Sequence, residues 1–265
     1  MRKADLTGCV VAITGGARGI GRATASAFAD RGARVVIGDI DEPQVRQTAT
    51  EIGRGTVGLE LDVTSEQSIA SFLDTVRGDV GAVDVLVNNA GIMPTGPFAE
   101  RDLSLARAVV DINLWGVMAG SHLVLPQMLE RRRGHIINVA SVLGRVAGAG
   151  VAAYSGTKFG VIGFTEGLRR ELRGTGVRAT AVLPSIVRTD LSRGFNEHGA
   201  VIEPTEVAAA IVRTCGSRAG EVTVPRWAGP AWRALAAVPP RATAPLLRAL
   251  DYDRAARDVA AERHP

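Results

Sequence analysis

Tyr154 and Lys158 stand four residues apart. On a helix that spacing puts both side chains on one face, a turn from each other. Taken alone, a Tyr-x-x-x-Lys pair is as readily a half-buried tyrosine beside a solvated lysine. Two features favour chemistry. Lys158 is one of only two lysines, the other being Lys3, in a chain whose remaining basic positions are arginine. A helical lysine where arginine is the habit points to a need for a compact ammonium. Ser141 lies thirteen residues upstream, just past the apolar run His135–Ala140, which reads as a buried strand.

These three side chains suit proton transfer at an alcohol or carbonyl oxygen. A phenol of pKa roughly 10 is too weakly ionised to act as a base near neutrality, and bringing it to roughly 7 takes about 4 kcal/mol of preference for the phenolate. An ammonium about 4 Å away, at an effective dielectric of about 20, supplies about that much. The expectation is therefore a Tyr154 whose pKa Lys158 lowers. Tyr154 would take a hydroxyl proton while a hydride leaves the same carbon, or return it in reverse. The Ser141 hydroxyl would hold the substrate oxygen. No side chain accepts a hydride, so a cofactor must bind elsewhere on the chain.

The elements that would position such a site alternate along the sequence. Cys9–Ile13 is a short, β-branched run and reads as a buried strand. Thr14-Gly15-Gly16-Ala17-Arg18-Gly19-Ile20-Gly21 follows directly, then a helix from Ile20 to Arg31 that Gly32 ends. The next strand, Arg34–Gly38, closes on Asp39. Such a glycine-rich turn inside a βαβ unit brings backbone amides against a pyrophosphate at a helix N-terminus, and the acid eighteen residues past Gly21 suits the adenosine ribose. Thr56–Leu61 is a third strand, ending at Asp62-Val63, and Thr64-Ser65-Glu66-Gln67 resembles a capping box opening a helix to about Arg77. Val83–Val87 runs into Asn88-Asn89-Ala90-Gly91, where small residues let a backbone approach a ligand. A helix holds Asp111-Ile112-Asn113, the strand before Ser141 follows, and the Tyr154 helix runs to about Arg173. Val177–Leu183 and Glu221–Val224 complete about seven strands. Repeated βα alternation predicts a single α/β, doubly wound parallel sheet covered by helices on both faces. Gly15 to Gly21, Asp39, Asp62, Asn89 to Gly91, Ser141 and Pro184 to Thr189 all fall where strands end, the edge where such sheets bind ligands.

Composition narrows the class. The 265 residues are 46% hydrophobic and 22% charged, with a net charge of +4. The arginines are spread along the chain, which reads as solvated surface and not as a nucleic-acid footprint. Cys9 and Cys215 sit beside apolar residues and read as buried thiols in a reducing cytoplasm. The histidines 122, 135, 198 and 264 have no metal-ligand spacing. Ile112–Leu129 carries no formal charge over a length that imitates a membrane span, yet it contains Asn113, Ser121, His122, Pro126 and Gln127, so a buried or subunit-interface helix is expected.

Taken together, Thr14-Gly15-x-x-x-Gly19-x-Gly21, Asp62, Asn88-Asn89-Ala90-Gly91, Asn113, Ser141 and Tyr154-x-x-x-Lys158 resemble the short-chain dehydrogenase/reductase family over about Leu6 to Val224. The resemblance implies a Rossmann-type fold and Tyr154 as catalytic acid/base. It implies that Lys158 lowers the tyrosine pKa and bonds the nicotinamide ribose, that Ser141 positions the substrate oxygen, and that Asn113 holds a water in a proton relay. Asp62 and Val63 would contact adenine, and Asn89, Ala90 and Gly91 would line the cofactor groove. Thr189 would bond the carboxamide, with Gly15, Arg18, Gly19, Ile20, Gly21, Asp39, Pro184 and Ile186 also at the cofactor. The family usually has Pro-Gly after the sixth strand; here it is Pro184-Ser185, which puts a side chain beside the nicotinamide. Without the resemblance, Asn113 could bond its own helix, Asp62 could cap a turn, and Ser141 could be a strand-end hydroxyl.

The expected activity is oxidation of a hydrophobic secondary alcohol or reduction of its ketone with NAD, NADP being the less favoured cofactor. Asp39 would repel a 2′-phosphate, whereas Arg18 could meet one. The alternatives are a catalytically silent dinucleotide-binding sensor or scaffold, and an epimerase or dehydratase on a similar fold. Apolar pocket candidates are Ile92, Met93, Leu143, Val146, Ile186, Val187, Leu191 and Phe195, while Arg188 and Arg193 read as loop charges that could also meet an anionic substrate. The Ile112–Leu129 helix and the small residues Gly156, Gly160, Gly163 and Gly167 suit a homodimer or homotetramer. Residues 1–225 form the dehydrogenase domain and 226–265 a C-terminal extension. Its Trp227, Trp232 and Leu235 would fold over the substrate mouth or a neighbouring subunit, in preference to an anionic membrane surface that the arginines of 226–250 could meet.

Overall fold

The computed structural model describes residues 5–192 and 201–238. Seven strands form one parallel sheet in the order β3-β2-β1-β4-β5-β6-β7. They are β1 Val10–Thr14, β2 Arg34–Asp39, β3 Val57–Glu60, β4 Val85–Asn88, β5 Gly134–Val139, β6 Val177–Pro184 and β7 Glu221–Val224. The helices between them are α1 Gly19–Ala29, α2 Glu42–Ile52, α3 Glu66–Thr75, α4 Leu103–Val110, α5 Gly116–Glu130, α6 Ala152–Glu171 and α7 Pro204–Thr214, and α8 Gly229–Ala237 follows β7. The sheet is the expected doubly wound one.

Alternation along β1 assigns its two faces. Val11 and Ile13 join Phe28, Val45 and Ile211 in the layer under α1, α2 and α7. Val10 and Ala12 join Phe72, Val124, Met128 and Leu168 under α3, α5 and α6. Because both faces are covered, β1 reads as a continuous apolar run from Val10 to Ile13. The switch in strand order falls between β1, which pairs with β2, and β4. The crevice outside the carboxyl ends of these strands is where a ligand fits such a sheet.

α4 and α5 are one rod broken by a π-helical turn, Asp111–Trp115. The span Leu103–Glu130 is long and apolar enough to cross a membrane by length and composition. Here it lies along the sheet, with Val124 and Met128 in the core, and its apolarity serves that packing. One expected cap shifts by a residue. Ser65, not Thr64, accepts the Ser68 amide at 3.2 Å and caps α3, because Thr64 gives its amide and hydroxyl to Asp62 at 2.9 and 2.7 Å. After β7, Pro230 lies in the first turn of α8, where a proline is tolerated, and the later prolines 239, 240 and 245 lie outside the described residues.

Candidate active site

A cavity of about 920 Å³ runs along the carboxyl edge of the sheet. One end is built from the turn between β1 and α1 and the ends of β2, β3 and β4. The Thr14 hydroxyl accepts the amides of Asn89 and Ala90 at 3.0 and 3.1 Å. The Asn89 side-chain amide donates to the carbonyls of Thr14 and Gly15 at 3.0 and 2.9 Å. These bonds hold β1 and β4 at the switch point. Gly15 has φ +67°, and a Cβ there would meet the Ala90 Cα at 2.7 Å; one on Gly21 would meet the Gly15 carbonyl at 2.0 Å. Only glycine permits this turn. α1 opens with Arg18 in the N-cap position and no side-chain cap, so the amides of its first turn face the cavity as a cradle for anions. A dinucleotide pyrophosphate fits that cradle.

Asp39, Asp62 and Val63 line the same end, with Arg18, Gly19, Ile20, Asn89, Ala90 and Gly91. The Asp39 carboxylate accepts the Ala17 amide at 3.0 Å and the Asp41 amide at 3.3 Å, so it also braces the glycine turn. Arg18 is held by Asp41 at 2.6 Å. Asp41 caps α2 through its second oxygen, which accepts the Gln44 amide at 3.2 Å.

The other end collects Ser141, Tyr154, Lys158, Pro184, Ser185, Ile186 and Thr189. Ser141 leaves β5 in an extended conformation and its hydroxyl accepts the Leu143 amide at 3.1 Å. That hydroxyl lies near the Tyr154 phenol and favours its ionised form. The Lys158 ammonium lies 5.5 Å from the Tyr154 ring centroid and donates to the Val139 carbonyl at 2.9 Å. Tyr154 and Lys158 are buried, at 6% and 4% exposure.

Here the electrostatics reverse the sequence expectation. Burial pushes the Tyr154 phenol up to about 12, against a lowering by the Ser141 hydrogen bond, and pushes Lys158 down to about 8. Both charged forms lose water on entering the helix–sheet interface, and that loss dominates each shift. Tyr154 is thus a protonated donor at neutral pH, not a pre-formed phenolate.

Asn113 is fully buried in the π turn. Its side chain accepts the Ile92 amide at 2.8 Å and donates to the Ile92 carbonyl at 2.9 Å. That side chain also donates to the Thr157 hydroxyl at 3.4 Å, and it holds the loop after β4, with Gly91, beside Lys158. Among the pocket candidates, Ile92, Met93, Leu143, Ile186, Val187 and Leu191 line the cavity. Val146 is buried outside it, and Phe195 and Arg193 lie outside the described residues. The Arg188 guanidinium is paired with Glu203 at 2.7 Å. Sequence reasoning did not place Ile40, Leu61, Val151 and Pro225 at the cavity; proximity across the sheet edge, with no local motif, puts them there.

The sequence matches the short chain dehydrogenase family profile over residues 9–200. The chain belongs to that family. Among short-chain dehydrogenase relatives, the 3-oxoacyl-[acyl-carrier-protein] reductase of Vibrio harveyi is 34% identical over 230 residues, 83% of this chain and 94% of the relative. An uncharacterised oxidoreductase of Staphylococcus saprophyticus is 37% identical over 186 residues, 69% of this chain and 76% of the relative. Among solved structures, a short-chain dehydrogenase/reductase from Burkholderia phymatum in complex with NAD superimposes with a TM-score of 0.80 at 25% identity, covering 87% of this chain and 93% of that one. The Tyr154 helix and the glycine turn both fall inside the matched span, as in a family of nicotinamide-dependent oxidoreductases.

Proposed function

We propose that this short-chain dehydrogenase interconverts a hydrophobic secondary alcohol and its ketone, with NAD preferred over NADP. One observation carries the reading: Ser141, Tyr154 and Lys158 converge in a cavity whose opposite end is a glycine cradle suited to a pyrophosphate. A nicotinamide dinucleotide bound there supplies the hydride donor or acceptor. The chain's own groups handle the proton and the oxygen. In reduction, the Tyr154 hydroxyl gives its proton to the carbonyl oxygen as that oxygen gains charge, and a phenol held near 12 stays loaded at working pH. Ser141 donates to the same oxygen and orients it. In oxidation the phenol must first lose its own proton, and the resulting phenolate accepts the alcohol proton; burial disfavours that ionised form, and Ser141 and a cationic Lys158 favour it. Asn113 acts as a positioning residue through Ile92.

The preference for NAD rests on Asp39 at the end of β2 and on the pairing of Arg18 with Asp41, which occupies the cation of the glycine loop. A structural relative bound to NAD agrees with this. Reduced-nicotinamide absorbance over a panel of alcohols and ketones tests the activity. Turnover with none of them, alongside intact NAD binding, would favour a silent dinucleotide-binding protein. The relationship to 3-oxoacyl-[acyl-carrier-protein] reductases supports a second choice of ketone, the 3-oxoacyl thioester, and acetoacetyl thioesters belong on the panel beside cyclic ketones.

The same reading places the enzyme in the cytoplasm as a homodimer or homotetramer. Leu103, Val110, Trp115 and Phe159 are exposed on α4, the π turn and α6. A Cβ at Gly156, Gly163 or Gly167 would meet nothing within 4 Å, so these positions leave room for a second copy. Gly160 does not belong to that set: a Cβ there would meet Leu114 at 3.0 Å inside the subunit.

A further inference from the structure

The cavity does not end at the reacting groups. It continues to Pro225, Trp227, Ala228 and Trp232, on the segment that follows β7. Trp227 lines the cavity yet is 77% exposed, while its neighbour Ala228 is buried. The backbone is therefore anchored and the indole is not part of the core. The anchoring is specific. The Ser185 amide donates to the Val224 carbonyl at 2.8 Å, and the Ala228 amide to the Pro225 carbonyl at 3.1 Å. Gly229 packs so closely on β7 that a Cβ would meet the Thr223 hydroxyl at 3.2 Å. Arg233 of α8 donates to one oxygen of Glu221 at 3.3 Å, and Arg145, from the segment after Ser141, takes the other. One carboxylate thus ties α8 both to β7 and to the segment carrying the reacting groups.

Resting on the proposed alcohol–ketone chemistry, we propose that Trp227 and Trp232 form an aromatic wall that selects substrates with a rigid, ring-sized apolar body beyond the reacting carbon. Two indoles offer broad flat faces with few rotors to freeze. A fused-ring ketone can lie on them without ordering cost, whereas a flexible acyl chain must freeze its own rotors to do so. Met93, Leu143 and Leu191 line the same cavity and give the ring further apolar contact.

The test uses the full chain with oxidised nucleotide, comparing 2-tetralone with cyclohexanone. Tetralone should quench tryptophan emission saturably, the quench being largely lost in Trp227→Ala and retained in Trp227→Phe with Trp115 as constant background. In steady state with reduced nucleotide in place of oxidised, Trp227→Ala should raise KM for tetralone about tenfold or more, while kcat and the KM for cyclohexanone stay within about twofold, as expected for loss of an aromatic contact. An equal loss on both ketones would make the role structural and overturn the proposal. Unchanged KM and no quench would show that the substrate does not meet the indole, which also overturns it. If neither ketone is turned over, the alcohol–ketone reading fails on its own; a saturable, Trp227-dependent quench by tetralone would still support the wall, and its absence would refute it.

Discussion

Lys158→Met should stabilise the fold while removing function. The wild-type ammonium is 4% exposed, and burial lowers its pKa from 10.5 to about 8. That gap corresponds to about 3 kcal/mol of penalty for holding the charged form in the native state. Methionine keeps the length and apolar stem and carries no charge. It gives up the hydrogen bond to the Val139 carbonyl, worth about 1 kcal/mol. The net expectation is a gain of about 2 kcal/mol at pH 7, or roughly 4–8 °C in Tm for a chain of this size. The sign with pH follows from the depressed pKa. Below about 8 both folded and unfolded wild type carry the proton and the penalty is complete; between about 8 and 10.5 only the unfolded chain does, so wild-type stability rises; above 10.5 neither does. The advantage of the variant should therefore be largest at pH 7 and fade by pH 10.5. Tyr154 titrates above this range in both proteins and largely cancels in the difference. Urea denaturation without nucleotide at pH 7, 9 and 10.5 measures it, with hydride-transfer assays in parallel. A variant less stable than wild type at pH 7, or an advantage that does not change with pH, would refute the burial argument.

Further outcomes follow from the same geometry. Tyr154→Phe should fold and bind NAD but lose about 10²–10⁴-fold in turnover, checked by absorbance at saturating cofactor. Asp41→Asn keeps the cap on α2 but releases Arg18; NADP should bind about two- to fivefold more tightly, read by isothermal titration, in line with an exposed pair worth up to about 1 kcal/mol. Reduction should slow as pH rises through about 8, because Lys158 then loses the charge that supports proton transfer, and a profile flat from pH 6 to 10 would contradict this. Phe159→Asp, on the exposed face of α6, should shift light-scattering mass toward the monomer at micromolar concentration.

Much of the framework is written locally. Gly15, Gly19 and Gly21 announce the tight turn, Asp39 its acidic partner, and the apolar runs ending at Asp39, Asn88, Val139 and Pro184 announce strands, because backbone conformation and periodicity depend on near neighbours in the chain. The order of the βα units and the family resemblance follow from those local signals. Other properties arise only when distant segments meet. Strand order 3-2-1-4-5-6-7 brings residues 14 and 89 within hydrogen-bonding distance. Whether Lys158 lowers Tyr154 depends on how much water the packed helix excludes, and that quantity has no sequence pattern; desolvation reversed the expected direction. Asn113 could have bonded its helix, a water or a loop, and its choice of Ile92 depends on where the π turn sits. Gly160 and Gly163 look alike in sequence, yet Leu114 fills the space at one and nothing fills it at the other. The exposed Trp227 became a cavity residue only because β7 delivers it to the sheet edge beside Ser185. Sequence alone determined which chemical groups this chain carries and in what order; tertiary packing decided which of them lose their water and which meet, because burial and contact belong to the assembled surroundings of a residue and not to its neighbours in the chain.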